Sequence, residues 1–366
     1  MPDHLSALVT ETVADAASGW DVAGEIPIAV LRALGAKGVL CAETEQRFGG
    51  LGLSCVENGE LTAHTGALCS SLRSVMTSQG MAAWTIRRFG DRAQREEHLA
   101  RLTGGELAAV AFSEPAAGSD LAAMSTGIRR DGGDIVVHGT KTWITVADYA
   151  DWIVVFGRYE GGGAVAVVPT TAPGVRVTRV PHPMGCRAAG HATVELDHVR
   201  LPAEHLLAVA GQPIVMLTTI ALTYGRLSVA WGCVGILRAC LTAVARHAAA
   251  REQFGKPLLQ HQLVARHLAE LYAAERTATF ACERASGSRD EGSPEQVPAS
   301  VLAKHVAAGH AARGAASALQ VLASAGAASG HVVERAYRDA KLMEVIEGSN
   351  EICQLILAEH AASAAG

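Results

Sequence analysis

Hydrophobic periodicity changes twice along this chain, and that double switch limits the fold more than any other feature. Through residues 1 to about 105, apolar residues recur at spacings of three and four between glycine stops, as in 25–36, 54–66, 74–89 and 91–102, the rhythm of helices that bury one face. In RAQREEHLARL the charges fall away from Leu99 and Leu102, as on a surface helix. From about 106 to 208 the pattern changes to the β-type runs DIVVHG, DWIVVFGRY, GGAVAVVP and GVRVTRV, split by Asp131-Gly132 and by Gly161 to Gly163. From about 211 helical spacing returns over 217–251, 262–286 and 299–325, with a last helix after Gly348. The polar segment SGSRDEGSPEQ, residues 286–296, reads as an exposed connection. The expected fold class is α+β in three regions: an N-terminal α-helical region (1–105), a middle antiparallel β barrel or sandwich (106–210) and a C-terminal four-helix bundle (211–366). The seams between the regions are places for a ligand.

Composition removes several function classes. With 366 residues, 49% hydrophobic and 18% charged, the chain can bury enough surface to order itself. A net charge of -5 and 4% aromatic content give neither a phosphate-binding footprint nor stacking platforms, so no nucleic-acid partner is expected. The first residues carry acids and no Lys or Arg, unlike a leader peptide. The apolar stretch 221–241 is interrupted by Arg226 and Arg238, which suits a buried helix and not a membrane span. Eight cysteines without a CxxC pair read as buried thiols in a reducing cytoplasm. His182, His191, His198 and His205 lack the HExxH spacing and read as structural, so no metal is expected. The cluster Gly49-Gly50-Leu51-Gly52 lacks the last glycine of GxGxxG, so any dinucleotide must be held outside the Rossmann manner.

Five segments in order, FGGLGLSCVENGEL, AFSEPAAGSDLAA, HGTKTWITVADYADW, REQFGKPLLQHQ and RDAKLMEVIEGSNEI, are similar to the sequential blocks of the acyl-CoA dehydrogenase family. The resemblance runs from about Phe48 to His360. It implies FAD as cofactor and assigns roles by position. Phe112 and Ser113 match residues at the flavin pyrimidine, and Ser119 a position near the pyrophosphate or the thioester arm. Trp143 packs by the isoalloxazine and Thr145 meets flavin N5; two residues apart, they share one side of an extended chain. Arg251, Gln253 and Phe254 reach the FAD of a neighbouring subunit, which implies a homodimer or a dimer of dimers. Gln320 and Gly326 match a glycine-rich cofactor segment in which Ala323 and Ser324 replace two glycines. Ser349 and Glu351 stand beside the cofactor, and Ser349 or Asn350 can cap the last helix.

Removing the weakly acidic α-hydrogen of a thioester needs a carboxylate in a dry pocket, with the carbonyl oxygen hydrogen-bonded as charge develops. Glu347 matches the family's base, followed by Gly348 where the backbone can turn. Some members place the base one residue before the arginine that corresponds to Arg226; Gly225 stands there and has no side chain. By the same resemblance the thioester oxygen meets the Glu347 amide and a flavin ribityl hydroxyl.

Within the family the chain looks closest to the branch that serves methoxymalonyl extender units in ascomycin-type polyketide pathways. That implies a small hydroxylated three-carbon acyl group on an acyl carrier protein and an unnamed electron acceptor. The product is an alkene or, if hydride leaves a hydroxyl-bearing carbon, a carbonyl. The segment SSLRSVMTSQ resembles the part of glutaryl-CoA dehydrogenase that meets a distal carboxylate, with Arg73 and Thr77 at the arginine and hydroxyl positions. Arg73 pairs either with a polar acyl end or with one of the chain's own acids. Other readings are a fatty acyl-CoA dehydrogenase, a flavin monooxygenase or oxidase, and a non-catalytic scaffold.

Overall fold

The computed structural model describes residues 3–13 and 15–364. Six helices lead: α1 (Asp3–Val13), α2 (Ala16–Ala23), α3 (Ile28–Ala36), α4 (Cys55–Leu68), α5 (Ser70–Phe89) and α6 (Arg92–Thr103). Two of them start on reciprocal caps. Ser54 and Glu57 exchange side-chain and backbone hydrogen bonds at α4, and Asp91 and Gln94 do so at α6. Seven strands follow: β1 (Ala108–Ala111), β2 (Gly127–Asp131), β3 (Asp134–Ile144), β4 (Trp152–Tyr159), β5 (Gly162–Pro169), β6 (Val175–Arg179) and β7 (Ala192–Pro202). The last region holds α7 (Ile214–Ala250), the short hairpin β8 (Glu252–Gln253) and β9 (Lys256–Pro257), α8 (Gln262–Asp290), α9 (Gln296–Leu322), α10 (Val332–Met343) and α11 (Asn350–Ala364).

The strands form one curled sheet in the order β1-β4-β2-β3-β7-β6, with β5 on β4. The hairpin-linked pairs are antiparallel, as the alternating runs and Asp-Gly turns lead one to expect, while β1 lies parallel to β4. That parallel pairing makes the sheet mixed. It arises because β4 inserts between β1 and β2, a long-range choice that local pattern does not record.

No region owns a private core. Leu5, Val9, Leu31, Leu72 and Val75 of the first helices share one cluster with Ile135, Val155 and Leu196 of the sheet. Met81, Ile86 and Leu99 share another with Trp152, Phe156 and the start of α7. The third cluster joins α7 to α8, α9 and α10. Helix α5 touches α4, α6, α7 and β1 and is buried along nearly its whole length. It therefore acts as the spine on which the sheet and the bundle meet. By length and composition α7 could cross a membrane, but its most apolar stretch is mostly buried inside the fold.

Two expectations need correction. The segment 286–296 is not an exposed connection throughout: α8 continues to Asp290, and Ser286, Ser288 and Arg289 are buried. The reason lies far away in sequence. Arg289 pairs with Glu43 and stacks on Trp84 and Tyr224, Ser286 accepts the Trp231 indole N–H, and Asp290 accepts the Cys55 N–H at the start of α4. Helix α10 was also unmarked, although Val333, Ala336, Ala340 and Met343 are buried at helical spacing. All eight cysteines are free and buried.

Candidate active site

The loop between α10 and α11 carries Glu347 with φ 56° and Gly348 with φ 90°. A glutamate in left-handed backbone is uncommon and persists only where its surroundings hold it. Two buried cations do so. Lys304 Nζ of α9 donates to the Gly348 carbonyl at 2.7 Å, to the Glu344 carbonyl at 3.3 Å and to Asn350 Oδ1 at 3.3 Å. Arg226 Nε of α7 donates to the Glu347 carbonyl at 3.1 Å. Beyond the loop, the Ile352 N–H donates to Ser349 Oγ, which caps α11.

This clamp turns the Glu347 carboxylate inward. The residue as a whole is half-buried, yet its Oε2 is shut off from solvent and has no hydrogen-bond partner. Gly225 makes the space: a Cβ there would lie 2.2 Å from Oε2. Burial pushes the carboxyl above the ordinary glutamate range, against the opposing charges of Arg226, Lys304 and Arg73.

A narrow polar lane leads away from the carboxylate between α5 and α7. Gly225, Ser228 and Gly232 share one face of α7, and Arg73, Thr77 and Met81 share one face of α5. Met81 Sδ would be 3.1 Å from a Cβ on Gly225. Thr77 Oγ1 and Ser228 Oγ are 2.7 Å apart. At the far end Arg73, only 1% exposed, donates Nη1 to Thr77 Oγ1 at 3.3 Å and brings Nη2 to 2.9 Å from Met343 Sδ. Gly232 admits it, since a Cβ there would sit 2.7 Å from Arg73 Cδ. Among the described residues Arg73 makes no ion pair, so of its two expected partners the structure does not supply an acid from the chain itself. Ser228 was missed by sequence reading; one hydroxyl among small apolar residues gives no signal until α5 is placed opposite.

On the sheet side, Phe112 is buried with its ring 4.5 Å from Phe156. The turn after it is fixed from beneath by an ion pair that sequence reading also missed. Lys141 Nζ donates to the Phe112 carbonyl at 3.0 Å and to Glu114 Oε1 at 2.9 Å, while Ser125 and Thr126 donate to the Glu114 carboxylate. Burial alone would raise the Glu114 carboxyl; the hydrogen bonds from Ser125, Thr126 and Lys141 overrule it and hold the group at about 2. Burial lowers the Lys141 ammonium to about 8, with Glu114 opposing. The Ser113 carbonyl accepts the Thr142 N–H at 2.9 Å, which ties this turn to the Trp143 strand. Ser119 is exposed.

Trp143 is not in extended backbone. Its φ is 58°, at a bulge where β3 slips against β7 between Lys141 and Ile144. Trp143 and Thr145 nevertheless meet at one group, His191. The indole lies edge-on to its ring at 6.1 Å, and Thr145 Oγ1 is 3.3 Å from Nδ1. The indole is 56% exposed. Ser78 Oγ of α5 donates to the Thr145 carbonyl at 3.4 Å, anchoring this strand end to the spine.

The remaining candidates lie elsewhere. Arg251 ends α7, and Gln253 and Phe254 sit on the β8–β9 hairpin; all three are exposed, Phe254 at 93%. From Gly225 to Arg251 the chain runs along a single helix for roughly 39 Å at 1.5 Å per residue. Gln320 is exposed near the end of α9, and Gly326 is packed so that a Cβ would lie 2.7 Å from Leu322 Cβ. Ala323 keeps φ 51° and ψ −134°, a conformation that favours glycine. Glu351 is exposed in the first turn of α11. His198, expected to be structural, lies with His138 and Asp197 on the exposed surface, their ligand atoms within 4.8 Å of one another.

Residues 1–106, 109–199 and 214–362 match, in turn, the N-terminal, middle and C-terminal domains of acyl-CoA dehydrogenases. A probable acyl-CoA dehydrogenase, YngJ of Bacillus subtilis, is 32% identical over 94% of this chain and 93% of its own. The chain belongs to the acyl-CoA dehydrogenase family. Among solved structures, FkbI, for biosynthesis of the methoxymalonyl extender unit of the polyketide Fk520, is 61% identical with a TM-score of 0.94, covering 98% of this chain and 99% of FkbI. A glutaryl-CoA dehydrogenase from Mycobacterium smegmatis in complex with FADH2 is 26% identical with a TM-score of 0.92, covering 99% and 94%. As a family member the protein is an FAD-dependent oxidoreductase of acyl thioesters. The site suits that cofactor: Trp143 offers an exposed aromatic face, Thr145 a hydroxyl, and His191 Nε2 is buried without a partner.

Proposed function

We propose that this enzyme dehydrogenates a small, hydroxylated acyl thioester carried on an acyl carrier protein, in the formation of a methoxymalonyl extender unit. The observation that carries the polar substrate is Arg73, buried, without a carboxylate partner, at the end of a hydroxyl-lined lane that starts at Glu347. An unpaired buried guanidinium is costly unless a ligand completes it. The identity with FkbI supports the methoxymalonyl pathway.

Glu347 takes the α-proton, and its raised affinity for protons suits a base that must later release one. The Glu347 amide meets the thioester oxygen as negative charge develops there. FAD, when bound, would supply the hydride acceptor, for hydride from the β carbon with an alkene as product or from a hydroxyl-bearing carbon with a carbonyl as product. Arg226 and Lys304 keep the carboxylate in place, and Met81 with the buried faces of α5 and α7 excludes water. Phe112, Ser113, Ser119, Trp143, Thr145, Ser349 and Glu351 would hold the flavin from this chain. Arg251, Gln253 and Phe254 would complete the FAD site of a second copy, a reading supported by their distance along α7 and by the exposed apolar residues Leu263, Tyr272 and Phe280 on α8. Electrons leave to a flavoprotein or another acceptor.

The test is anaerobic flavin bleaching with matched thioesters on acyl carrier protein and on CoA. Arg73→Met should slow the hydroxylated three-carbon substrate by roughly 30-fold, about 2 kcal/mol, relative to butyryl thioester. Equal losses on both acyl groups would assign Arg73 to structure, and a preference for CoA would remove the carrier protein.

A further inference from the structure

His191 precedes β7 one step beyond the last register pair, Ala192 with Ile144, which sets it opposite Thr145. Spacing alone assigned it a structural role, but its contacts do not. One ring nitrogen, Nδ1, is 3.3 Å from Thr145 Oγ1; the other, Nε2, is buried and makes no close hydrogen bond among the described residues, while the Cys186 carbonyl lies near enough to the ring to favour its protonated form. The ring edge also meets the exposed Trp143 indole at 6.1 Å. A structural histidine in a folded core normally satisfies both nitrogens. Burial pushes the imidazole down to about 4, with the Cys186 carbonyl opposing and the Arg73 charge reinforcing, so the ring is neutral near pH 7 and carries one proton.

A neutral imidazole has two tautomers, and they have opposite effects on Thr145. With the proton on Nδ1, the ring donates to Thr145 Oγ1 and leaves the hydroxyl proton free to reach a third group. With the proton on Nε2, Nδ1 accepts the hydroxyl proton and the lone pairs of Thr145 face outward. An oxidised flavin presents N5 as a bare acceptor, whereas a reduced flavin carries a hydrogen there and donates it. A hydroxyl that serves both states must reverse its direction, and a neighbouring imidazole that exchanges its proton with water on the exposed Trp143 side can reverse with it.

We infer that His191 is the positioning residue that lets the Thr145 hydroxyl donate to oxidised FAD and accept from reduced FAD. The inference rests on the reading of Trp143 and Thr145 as flavin-facing. Moving one proton between the two ring nitrogens changes no net charge.

The experiment is a spectroelectrochemical titration of the FAD-loaded protein, with Thr145→Val, His191→Phe, His191→Asn and the Val/Phe double variant. His191→Phe should weaken reduced relative to oxidised flavin binding about tenfold, a fall of about 30 mV for a two-electron couple. His191→Asn, whose amide can still donate or accept beside Thr145, should recover the parent ratio to within about threefold. The double variant should shift no further than Thr145→Val alone. If Thr145→Val shifts the potential and His191→Phe does not, the inference fails while the flavin-facing reading stands. If neither shifts, both fall. A shift in His191→Phe alone would also overturn the inference, because the effect would not pass through Thr145. Should His191→Phe not fold, nitrogen NMR of the parent holoprotein decides: the protonated ring nitrogen should change on flavin reduction, and a tautomer that stays fixed refutes the reversal.

Discussion

The Lys141–Glu114 pair and the group of Glu347 with Arg73 and Arg226 are two buried sets of opposite charges, and the protein treats them in opposite ways. Beneath the sheet-side turn the pair is closed: Lys141 reaches Glu114 and the Phe112 carbonyl, and the Glu114 oxygens are filled by Ser125, Thr126 and Lys141. In the helical lane Glu347 Oε2 has no partner, Arg73 finds a hydroxyl and a sulfur, and Arg226 finds a carbonyl. Closed pairs hold backbone in shape. Open ones are left at a cost in stability, and that cost makes sense where a ligand will complete them.

Breaking the open set should strike chemistry before stability. Glu347→Gln is nearly isosteric and should keep FAD, yet slow flavin reduction by about 10³-fold, roughly 4 kcal/mol of barrier. Stopped-flow bleaching at close to the parent rate would place the base elsewhere. Breaking the closed set should do the reverse. Glu114→Ala strands a buried ammonium and should cost about 3 kcal/mol of stability, read as a lowered urea midpoint. A change under about 1 kcal/mol would mean the turn is held by other contacts.

The comparison sharpens with pH. Because burial raises the Glu347 carboxyl, its contribution to stability is complete below the unfolded value of about 4.3 and is lost as pH rises through the higher folded value. Glu347→Gln has no proton to lose. The apo variant and the apo parent should therefore melt alike near about pH 4 and diverge by about pH 8, with the variant more stable. A gap that narrows on raising the pH would contradict a carboxyl shifted upward. The smallest expected effect lies outside both sets. Ala323 occupies a glycine-type conformation, so Ala323→Gly should stabilise by about 0.5 to 1 kcal/mol in thermal or urea melts.

Much of this was legible in the sequence, and the limits follow from what is local. Spacings of three and four located α3 to α6 and the long α7, and the runs at 134–139, 151–159, 162–169 and 174–180 fell on β3 to β6. Ordered motifs pointed to Glu347, Trp143 and Thr145. An extended strand would set Trp143 and Thr145 on one side, whereas a bulge with Trp143 at φ 58° brings both to His191. Buried charges were the main blind spot. Arg289 looks like a loop residue until Glu43 is folded against it, and Arg338 on α10 obscures that helix until Asp21 and Glu334 are seen to pair with it. Lys304, Ser228 and His191 are single polar residues in small, apolar surroundings, and their partners come from other elements.

The closeness of Gly225 to Glu347 has a consequence for how such enzymes diversify. A side chain at 225 and the carboxylate at 347 would compete for the same few cubic ångströms, since even one carbon on Gly225 would collide with Oε2. If Glu347 is the base, as proposed, two positions far apart in the chain are alternative addresses for one reactive group. A side chain at 225 would therefore push the Glu347 carboxylate out of its present position, and a chain with neither would lack the proposed base.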